Sequence, residues 1–305
     1  MDKKIIIKHI EEMYSFKDKL YNENIFQLKD YPHIFKIEVT NYNLIAKIIK
    51  KSKIYCTNIN KLYHDLSTIE YIEIPMLTND KKYGVSDKDE IMLLYEELQN
   101  IKVNPGPIWW SDCLGSIHAI KYENYYKHYL PFDYYEQTIR LFALAEKFIP
   151  NDKKSKIYSL LAKVNIDKLN KKLCFKICHN DPYNLNIMQS VDEFKLIDTD
   201  GIGLSPKEYD IQRLLYNNVI NFNCIEDVMN FWEIFKNNYE YKTSDSIDIE
   251  LLKNIYILDF IRTISWLYIV SNDFSRVDRL RQKEQLNLFE KSLDNDSHCK
   301  ILRNI

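Results

Sequence analysis

Four residues near the middle of the chain have the types and the spacing that phosphoryl transfer requires. His179, Asp181 and Asn186 form an H-x-D-x-x-x-x-N run, and Asp198 follows 12 residues after Asn186. One carboxylate can orient an acceptor hydroxyl and take its proton, while an amide oxygen and a second carboxylate can hold Mg²⁺ on the phosphates of a nucleotide. Asp181 fits the first role, and Asn186 with Asp198 fits the second. The sequence therefore predicts a magnesium-dependent phosphotransfer site in this segment.

A predicted β-hairpin places the two metal ligands next to each other. Residues 186–197 have the pattern of two short strands around a turn at 190–193. Because a hairpin brings its two ends together, we expect Asn186 beside Asp198, with Asp181 just before them in the chain. The alternative is a polar turn, rich in Asn and Asp, that precedes a hairpin without any catalytic role.

At these residues the sequence resembles the aminoglycoside phosphotransferases and choline kinases, which are small-molecule kinases with a protein-kinase-like fold. That group usually has H-G-D-x-x-x-x-N in its catalytic loop, and Asn180 replaces the Gly here. Its metal-binding Asp usually opens an I-D-[WF]-[DE] stretch, to which I-D-T-D at 197–200 is similar. A buried Asp commonly follows in a G-x-x-x-x-D-[LI] context, and the segment 203–211 resembles it with two additional residues. The resemblance is specific over 178–215 and weak elsewhere.

The resemblance implies an α+β, bilobal protein-kinase-like fold. A small N-lobe with a mixed β-sheet, residues 1–98, would bind the nucleotide. A larger and mainly helical C-lobe, residues 99–305, would carry the catalytic and substrate-binding residues. The chain shows no internal repeat and no low-complexity linker, and its hydrophobic content of 46% is sufficient for a full core.

Hydrophobic periodicity predicts the elements of both lobes. In the first lobe, an amphipathic helix over 3–20 precedes a meander of three strands, and a second helix over 58–69 precedes two more strands. The five strands are predicted at 26–29, 34–40, 44–49, 82–86 and 90–95. In the second lobe, apolar residues recur every three or four positions. Helices are predicted at 133–148, 155–169, 207–221, 224–238, 249–271 and 274–292, and the resemblance implies a further one at 112–120, where 114–118 is similar to the L-x-x-L-H helix end of the family.

Lys47 lies inside the apolar third strand, where an unpaired ammonium group is costly to bury. In the kinase-like fold, a lysine of an x-A-x-K strand pairs with nucleotide phosphates. Lys47 resembles that lysine, although it directly follows Ala46. A solvent-facing strand lysine is the alternative, because Lys50 and Lys51 are close. The resemblance also implies an acidic partner on the second helix, for which Asp65 is the nearest candidate, and a plain surface position for Asp65 is the equal alternative.

The resemblance implies ATP (or GTP) and Mg²⁺ as cofactors. Backbone groups at the end of the fifth strand would hold the adenine edge, and we assign them to Glu96 and Leu98. The turn that would cover the phosphates, residues 29–33, contains no Gly, so its backbone amides are less free to approach them. Lys29 or His33 would then contact phosphate instead, or the segment simply closes a hairpin.

The acceptor is expected in the second lobe, beside Asp181. The resemblance suggests an amino sugar or an amino alcohol. A cation of that kind could bind at Asp259 and Trp266, which lie seven residues apart on one face of a helix. The alternative is that Trp266 belongs to the core and that Asp259 pairs with Arg262. His179 is expected to support the loop rather than to take part in the reaction.

Charge and composition set limits on the partners. The net charge is −2 with 28% charged residues, which gives no electrostatic reason to expect a nucleic acid or an anionic membrane as partner. No apolar stretch approaches the ~20 residues that span a bilayer, and the N-terminus lacks the pattern of a signal peptide. The six cysteines show no metal-site or disulfide spacing, so we expect reduced thiols and a cytoplasmic protein.

Two functions are compatible with these patterns. The first is an ATP-dependent phosphotransferase that moves the γ-phosphate to a hydroxyl of a small molecule. The second is a catalytically weak kinase-like accessory protein that binds a ligand or a partner. Intact Asp181, Asn186 and Asp198 favour the first, whereas the Gly-free turn and the lack of a Glu in the second helix favour the second. A protein kinase is less compatible, because Asp210 follows only 12 positions after Asp198 and leaves little room for a peptide-docking segment.

Overall fold

The structure is a computed structural model, and its contacts group the chain into two compact units. The first unit consists mainly of Met1–Pro105 and Asn184–Gly203, and the second mainly of Gly106–Ala119, Tyr129–Tyr183 and Leu204–Ile305. The division into lobes after residue 98 stays a prediction. The structure describes residues 1–15, 19–29, 31–40, 42–54, 58–98, 105–121, 131–170, 174–190, 193–221, 225–272, 279–294 and 297–305.

Regular elements follow the predicted order, a sheet first and helices afterwards. The strands are β1 (Ile25–Leu28), β2 (Tyr31–Glu38), β3 (Asn43–Lys50), β4 (Val85–Asp87), β5 (Glu90–Glu96), β6 (Phe175–Cys178), β7 (Ile187–Ser190), β8 (Glu193–Leu196) and β9 (Gly203–Pro206). The helices are α1 (Lys3–Met13), α2 (Ile59–Leu66), α3 (Pro107–His118), α4 (Pro131–Ala145), α5 (Asn151–Leu161), α6 (Ile166–Asn170), α7 (Lys207–Asn221), α8 (Ile225–Thr243), α9 (Ile249–Ser271), α10 (Arg279–Asp294) and α11 (Ser297–Asn304). The prediction of an α+β fold with a small sheet and a mainly helical remainder is confirmed.

A five-stranded sheet with the order β1-β2-β3-β5-β4 forms the centre of the first unit. All of its pairings are antiparallel rather than mixed, because short turns connect most of the paired strands. The five predicted strands are present, and their boundaries are displaced by up to about three residues. Strand β3 is hydrogen-bonded to β2 on one edge and to β5 on the other. Its backbone is therefore fixed, and any polar side chain on it must find its partner at that position.

The first hairpin is tighter than predicted. Leu28 pairs with Tyr31, so the residues from Tyr31 onward belong to β2 and not to a turn. Pro32 is tolerated there because the register of β2 with β3 begins only at Ile34, where a backbone N–H becomes necessary. The carbonyl of Pro32 accepts a hydrogen bond from Nε2 of Gln27 at 2.5 Å.

Alternation along β3 separates an apolar face from the face that carries Lys47. Leu44 and Ala46 are buried in a core that includes Ile6 of α1. Because successive residues of a strand face opposite sides of the sheet, Lys47 projects from the other face. Helix α1, which ends at Met13, is shorter than predicted, and its buried residues Ile6 and Ile10 belong to the same core as Leu44 and Ala46.

A second hairpin, β7 with β8, also lies in the first unit and agrees with the hairpin predicted over 186–197. Residues 191–192 of its turn lie outside the described residues. The N–H of Leu196 donates to the carbonyl of Tyr71 at 2.7 Å, and the N–H of Glu73 donates to the carbonyl of Leu196 at 3.0 Å. These bonds fasten the hairpin to the segment that follows α2.

Helix α9 is the centre of the second unit. Most of its residues are buried, and it packs against α4, α7 and α10. The single helix predicted over 155–169 is divided into α5 and α6, because Asn165 accepts the N–H of Lys168 with its side chain and so begins a new helix. Helix α11 was not predicted.

Within the described residues, none of the helices combines the length and the apolar character needed to cross a bilayer. Cys113 and Cys178 are buried free thiols, and Cys174 is an exposed one. Cys56 and Cys224 lie outside the described residues.

Glu73 provides a pH-dependent test of this packing. Burial raises the pKa of Glu73 to about 7, while Lys195 opposes the shift and Glu96 adds to it. The folded state therefore binds this proton more tightly than the unfolded state, so the free energy of unfolding falls as the pH rises from 4.5 to about 7. We expect Glu73→Gln to match the wild type at about pH 4 and to exceed it by about 1 kcal/mol at about pH 8, since the group is only half-buried. Urea unfolding at both pH values measures this, and equal stabilities at the higher pH would contradict it.

Candidate active site

The loop that carries Asp181 is held by one buried carboxylate. The backbone N–H groups of His179 and Asn180 both donate to Asp210, each at 2.7 Å, and Nε2 of His118 lies 3.1 Å from the same carboxylate. Asp210 is fully buried near the start of α7. A buried charge requires such partners, so Asp210 fixes the main chain immediately before Asp181.

Asn180 explains how the loop forms without the usual Gly. Its φ of 68° lies in the left-handed region, which Asn tolerates better than most residues. Its side chain also bonds locally, because Nδ2 donates to the carbonyl of Cys178 at 3.1 Å and Oδ1 accepts the hydroxyl of Ser205 at 2.6 Å. The Asn therefore keeps the sharp turn and ties the loop to β6 and β9.

His118, Cys178 and Asp210 place possible ligand atoms within 4.8 Å of one another, a spacing that a metal ion could use. Their contacts are those of a hydrogen-bonded core instead. Nδ1 of His118 lies 2.7 Å from the hydroxyl of Tyr239, and the oxygens of Asp210 accept the bonds described above. Burial raises the pKa of the Cys178 thiol well above its ordinary value, so the sulfur stays protonated and is a poor metal ligand.

The β7–β8 hairpin brings Asn186 and Asp198 to adjacent positions. Ile187 pairs with Leu196, and the N–H of Ile197 donates to the carbonyl of Asn186 at 2.9 Å. Asp198 therefore directly follows the last residue bonded to Asn186, as expected from the hairpin. Its φ of 65° and ψ of 49° are left-handed, a conformation that costs energy for a residue other than Gly and that concentrates at functional sites.

Lys47 lies between two carboxylates. Its ammonium group bonds to Asp198 and Asp200, and its side chain is only 12% exposed, so it is not a solvent-facing lysine. Burial lowers the pKa of Lys47, but the charges of Asp200 and Asp198 outweigh that effect, so the pKa is raised and the group stays charged. Burial and the adjacent Asp198 raise the pKa of Asp200, whereas Lys47 opposes the shift. One ammonium group against two carboxylates leaves negative charge at this place.

Asp200 is a site residue that the sequence reasoning did not assign. It closes the I-D-T-D stretch, and a second carboxylate two residues after Asp198 was the available signal. The segment is held by Thr199, whose hydroxyl donates to the hydroxyl of Tyr63 at 3.1 Å, and Tyr63 in turn lies 3.2 Å from the hydroxyl of Tyr95. These contacts join the turn around Asp200 to α2 and β5.

The structure does not bring Asp65 to Lys47. Asp65 pairs with Lys61, one turn earlier in α2, at 2.8 Å. The carboxylate partners of Lys47 are Asp198 and Asp200. Residues four positions apart on a helix are neighbours on its surface, so Lys61 is close enough to form this ion pair with Asp65.

Glu96 and Leu98 lie at and just beyond the end of β5. The N–H of Glu97 donates to the carbonyl of Asn43 at 2.9 Å, so the backbone of Glu97 faces β3. Alternate residues of an antiparallel ladder direct their backbone groups to opposite edges, so those of Glu96 point away from β3. Backbone groups in this direction are compatible with a contact to the adenine edge, and that contact stays a prediction.

Asp181 lies in the second unit, where its side chain is 46% exposed and its carboxylate is 3.7 Å from Arg213. The two predicted acceptor residues differ in exposure, since Asp259 is buried and Trp266 is 40% exposed. The ion-pair partner of Asp259 is Arg213, at 3.1 Å, rather than Arg262. A role of Asp259 and Trp266 in binding the acceptor stays a prediction.

Known proteins were compared with the chain by sequence and by structure. No protein-family model matches the sequence, and no curated protein sequence matches it. A solved spectinomycin phosphotransferase superposes with a TM-score of 0.67 at 15% identity, covering 99% of this chain and 98% of that one. The chain has the protein-kinase-like fold of these small-molecule kinases.

Two further solved structures agree with this fold. An amicoumacin kinase has a TM-score of 0.63 at 16% identity, covering 97% of this chain and 94% of that one. The choline kinase of Streptococcus pneumoniae has a TM-score of 0.59 at 15% identity, covering 96% and 99%. The resemblance inferred from residues 178–215 is therefore confirmed for the fold. Because one fold hosts many activities, the function has to be argued from the site.

The substitution Asp210→Asn tests the support of the loop. An amide offers one acceptor oxygen in place of two, so the N–H of His179 or of Asn180 loses its partner in a buried place. We expect the free energy of unfolding to fall by about 2–4 kcal/mol, measured by urea denaturation. Asp152→Asn is the matched control, because Asp152 is 66% exposed and forms a surface pair with Lys153, whose loss should leave stability nearly unchanged. Equal losses in the two variants would show that Asp210 is not a special support.

Proposed function

We propose that the protein transfers the γ-phosphoryl group of ATP or GTP to a hydroxyl group of a small molecule. The observation that carries this proposal is the cluster of Lys47, Asp198 and Asp200 at the end of the hairpin that begins after Asn186. The cluster combines a cation for phosphate with oxygen ligands for a metal ion, which are two requirements of phosphoryl transfer. The fold shared with small-molecule kinases supports the same class of reaction.

Asn186 and Asp198 are the proposed ligands of Mg²⁺. Amide and carboxylate oxygens are the donors that this ion prefers, and the excess of carboxylate charge over Lys47 suits a divalent cation. Asp198 is 44% exposed, whereas Asp200 is 22% exposed and would keep Lys47 in place. When bound, the ion would neutralise charge on the phosphates. Lys47 would hold the phosphates from β3.

The nucleotide is proposed to bind through the backbone of Glu96 and Leu98. The backbone groups of Glu96 point away from β3, so a purine could continue the hydrogen-bonding pattern of the strand edge from there to Leu98. Among the similar structures, the amicoumacin kinase was solved with AMP-PNP and Ca²⁺, and the spectinomycin phosphotransferase with AMP and with ADP. These complexes support a nucleotide as cofactor for this chain.

The acceptor is proposed to be an amino sugar or an amino alcohol. Spectinomycin, choline and aminopropanol are the compounds named for three similar kinases. Asp181 would take the proton of the acceptor hydroxyl while that oxygen bonds to the γ-phosphorus and the bond to the β–γ bridging oxygen breaks. Of the two predicted acceptor residues, Trp266 is more accessible to a cation, because the carboxylate of Asp259 is already paired in the core.

A catalytically weak binding protein is the second candidate function. It is favoured by the first hairpin, which lacks Gly, and by the pairing of Asp65 with Lys61 instead of with Lys47. Lys29 and His33 are exposed at that hairpin and are available to a phosphate group. Lys47 is nevertheless held in place, because Asp198 and Asp200 in the turn after β8 pair with it. The lack of an acidic partner on α2 therefore does not by itself remove the cation that would bind phosphate.

The substitution Asp181→Asn separates the two functions. The amide keeps the shape of the side chain but cannot accept a proton, so we expect phosphate transfer to fall by about 10²-fold or more while MgATP still binds. Calorimetry measures the binding, and a coupled assay measures the transfer. Asp152→Asn, which changes an exposed aspartate of α5, is the matched control and should transfer phosphate like the wild type.

The acceptor for these assays is found by thermal-shift and phosphorylation screens of amino sugars, amino alcohols and related hydroxyl compounds in the presence of MgATP or MgGTP. A wild-type protein that binds nucleotide yet phosphorylates none of these compounds would refute the kinase proposal, and the binding-protein function would then be preferred.

The substitution Lys47→Ala tests the phosphate-binding cation. We expect a higher KM for ATP and a lower kcat, with an unchanged circular dichroism spectrum, because the phosphates lose the ammonium group of β3. Lys50→Ala is the control on the same strand, because Lys50 is exposed and should be kinetically silent. Wild-type ATP kinetics in Lys47→Ala would mean that another group neutralises the phosphates.

A further inference from the structure

A chain of polar contacts leads from Asp181 into the core of the second unit. Oδ1 of Asp181 lies 3.7 Å from Nη2 of Arg213, which is too long for a hydrogen bond but within the range of an ion pair. Nη1 of Arg213 donates to Oδ2 of Asp259 at 3.1 Å. The exposed fraction of the side chain falls from 46% at Asp181 to 2% at Asp259, so Arg213 links a surface carboxylate to a buried one.

Asp259 is a firm anchor for this guanidinium group. Its oxygens also accept hydrogen bonds from Nε2 of Gln212 at 3.2 Å and from the hydroxyl of Tyr134. Nη1 of Arg262 donates to that hydroxyl at 2.9 Å, and its guanidinium lies 4.7 Å from the centroid of the Tyr134 ring. Burial alone would lower the pKa of Arg213, but Asp259 and its other neighbours raise it well above its ordinary value, so the anchored group stays charged.

Helix α7 supports the loop at two points. Asp210, near its first turn, accepts the two N–H groups that precede Asp181 and so holds the main chain. Arg213 follows three residues later, a spacing that places both side chains on neighbouring parts of the helix surface, and it reaches the side chain of Asp181. One helix therefore contacts both the backbone and the carboxylate of the same loop.

We propose that Arg213, anchored on Asp259, is a positioning residue that holds the carboxylate of Asp181 in the orientation that accepts the proton of the acceptor hydroxyl. This rests on the proposed function, in which Asp181 is the proton acceptor. A half-exposed aspartate on a loop can populate several rotamers, and a fixed guanidinium group selects among them before the reaction begins. Asp259 then acts as the anchor of Arg213.

A double-mutant cycle measures whether Arg213 acts through Asp181. The wild type, Arg213→Gln, Asp181→Asn and the double variant are compared by kcat for the acceptor found in the screen. We expect Arg213→Gln to lower kcat by about tenfold or more with an unchanged KM for ATP. When residue 181 is already Asn, the same change should cause no further loss. Losses that multiply in the double variant would overturn the proposal, because Arg213 would then act independently of Asp181.

Further variants separate positioning from folding. Arg213→Gln leaves the buried carboxylate of Asp259 without its cation, which could prevent folding. In that case the double variant Arg213→Gln, Asp259→Asn takes its place, because it removes both charges of the buried pair. Arg213→Lys keeps the charge without the planar two-pronged geometry and should recover part of the lost kcat. Arg140→Gln, which changes an arginine of α4 that is 79% exposed, is the matched control and should retain the wild-type kcat.

NMR couplings provide a readout that does not require activity. Three-bond couplings that report the χ1 rotamer of Asp181 are measured in the wild type, Arg213→Gln and Arg140→Gln. We expect one dominant rotamer in the wild type and in Arg140→Gln and averaged couplings in Arg213→Gln, because the guanidinium group that selects the rotamer is lost while Asp210 still holds the backbone. Equal couplings in all three proteins would overturn the positioning role. If the wild type phosphorylates no acceptor, the proposed function fails, and these couplings alone then decide whether Arg213 positions the carboxylate.

Discussion

The first unit depends on the burial of a charged lysine in the middle strand of its sheet. The backbone at Lys47 is fixed, because both edges of β3 are hydrogen-bonded to neighbouring strands, so the strand cannot shift to expose the ammonium group. Its partners, Asp198 and Asp200, lie 151 and 153 residues further along the chain. An unpaired ammonium group in this place would be costly, so the sheet and the turn after β8 stabilise each other. The residues proposed to bind the phosphates and the metal ion are therefore also part of what holds this unit together.

The second unit satisfies a buried charge of opposite sign in a similar way. Asp210 is fully buried, and two backbone N–H groups and His118 surround its oxygens. The partners are mostly main-chain groups, which fixes the shape of the loop before Asp181 and leaves the side chain of Asp181 to a separate contact with Arg213. Backbone shape and side-chain orientation thus have different supports, and mutations can address them one at a time.

Glycine is scarce in this chain, with only five residues, and other residues occupy left-handed backbone positions. Two of these positions, Asn180 and Asp198, border the candidate site. Asn180 compensates by bonding its side chain to β6 and β9, while Asp198 is held by the salt bridge to Lys47. The segment 29–33 also contains no Gly, so phosphate contacts from side chains are more compatible with it than a cradle of backbone amides.

Local sequence patterns determined the elements, because the periodicity that identifies a strand or a helix depends on neighbouring residues. The hairpin after Asn186, the buried helix α9 and the strand around Lys47 all follow from such patterns. The partners of the charged groups were decided only by the tertiary structure. Lys47 meets Asp198 and Asp200 instead of Asp65, and Asp259 meets Arg213 instead of the nearer Arg262. A periodic pattern states which face of an element is buried, but which charge lies opposite that face depends on how distant segments pack.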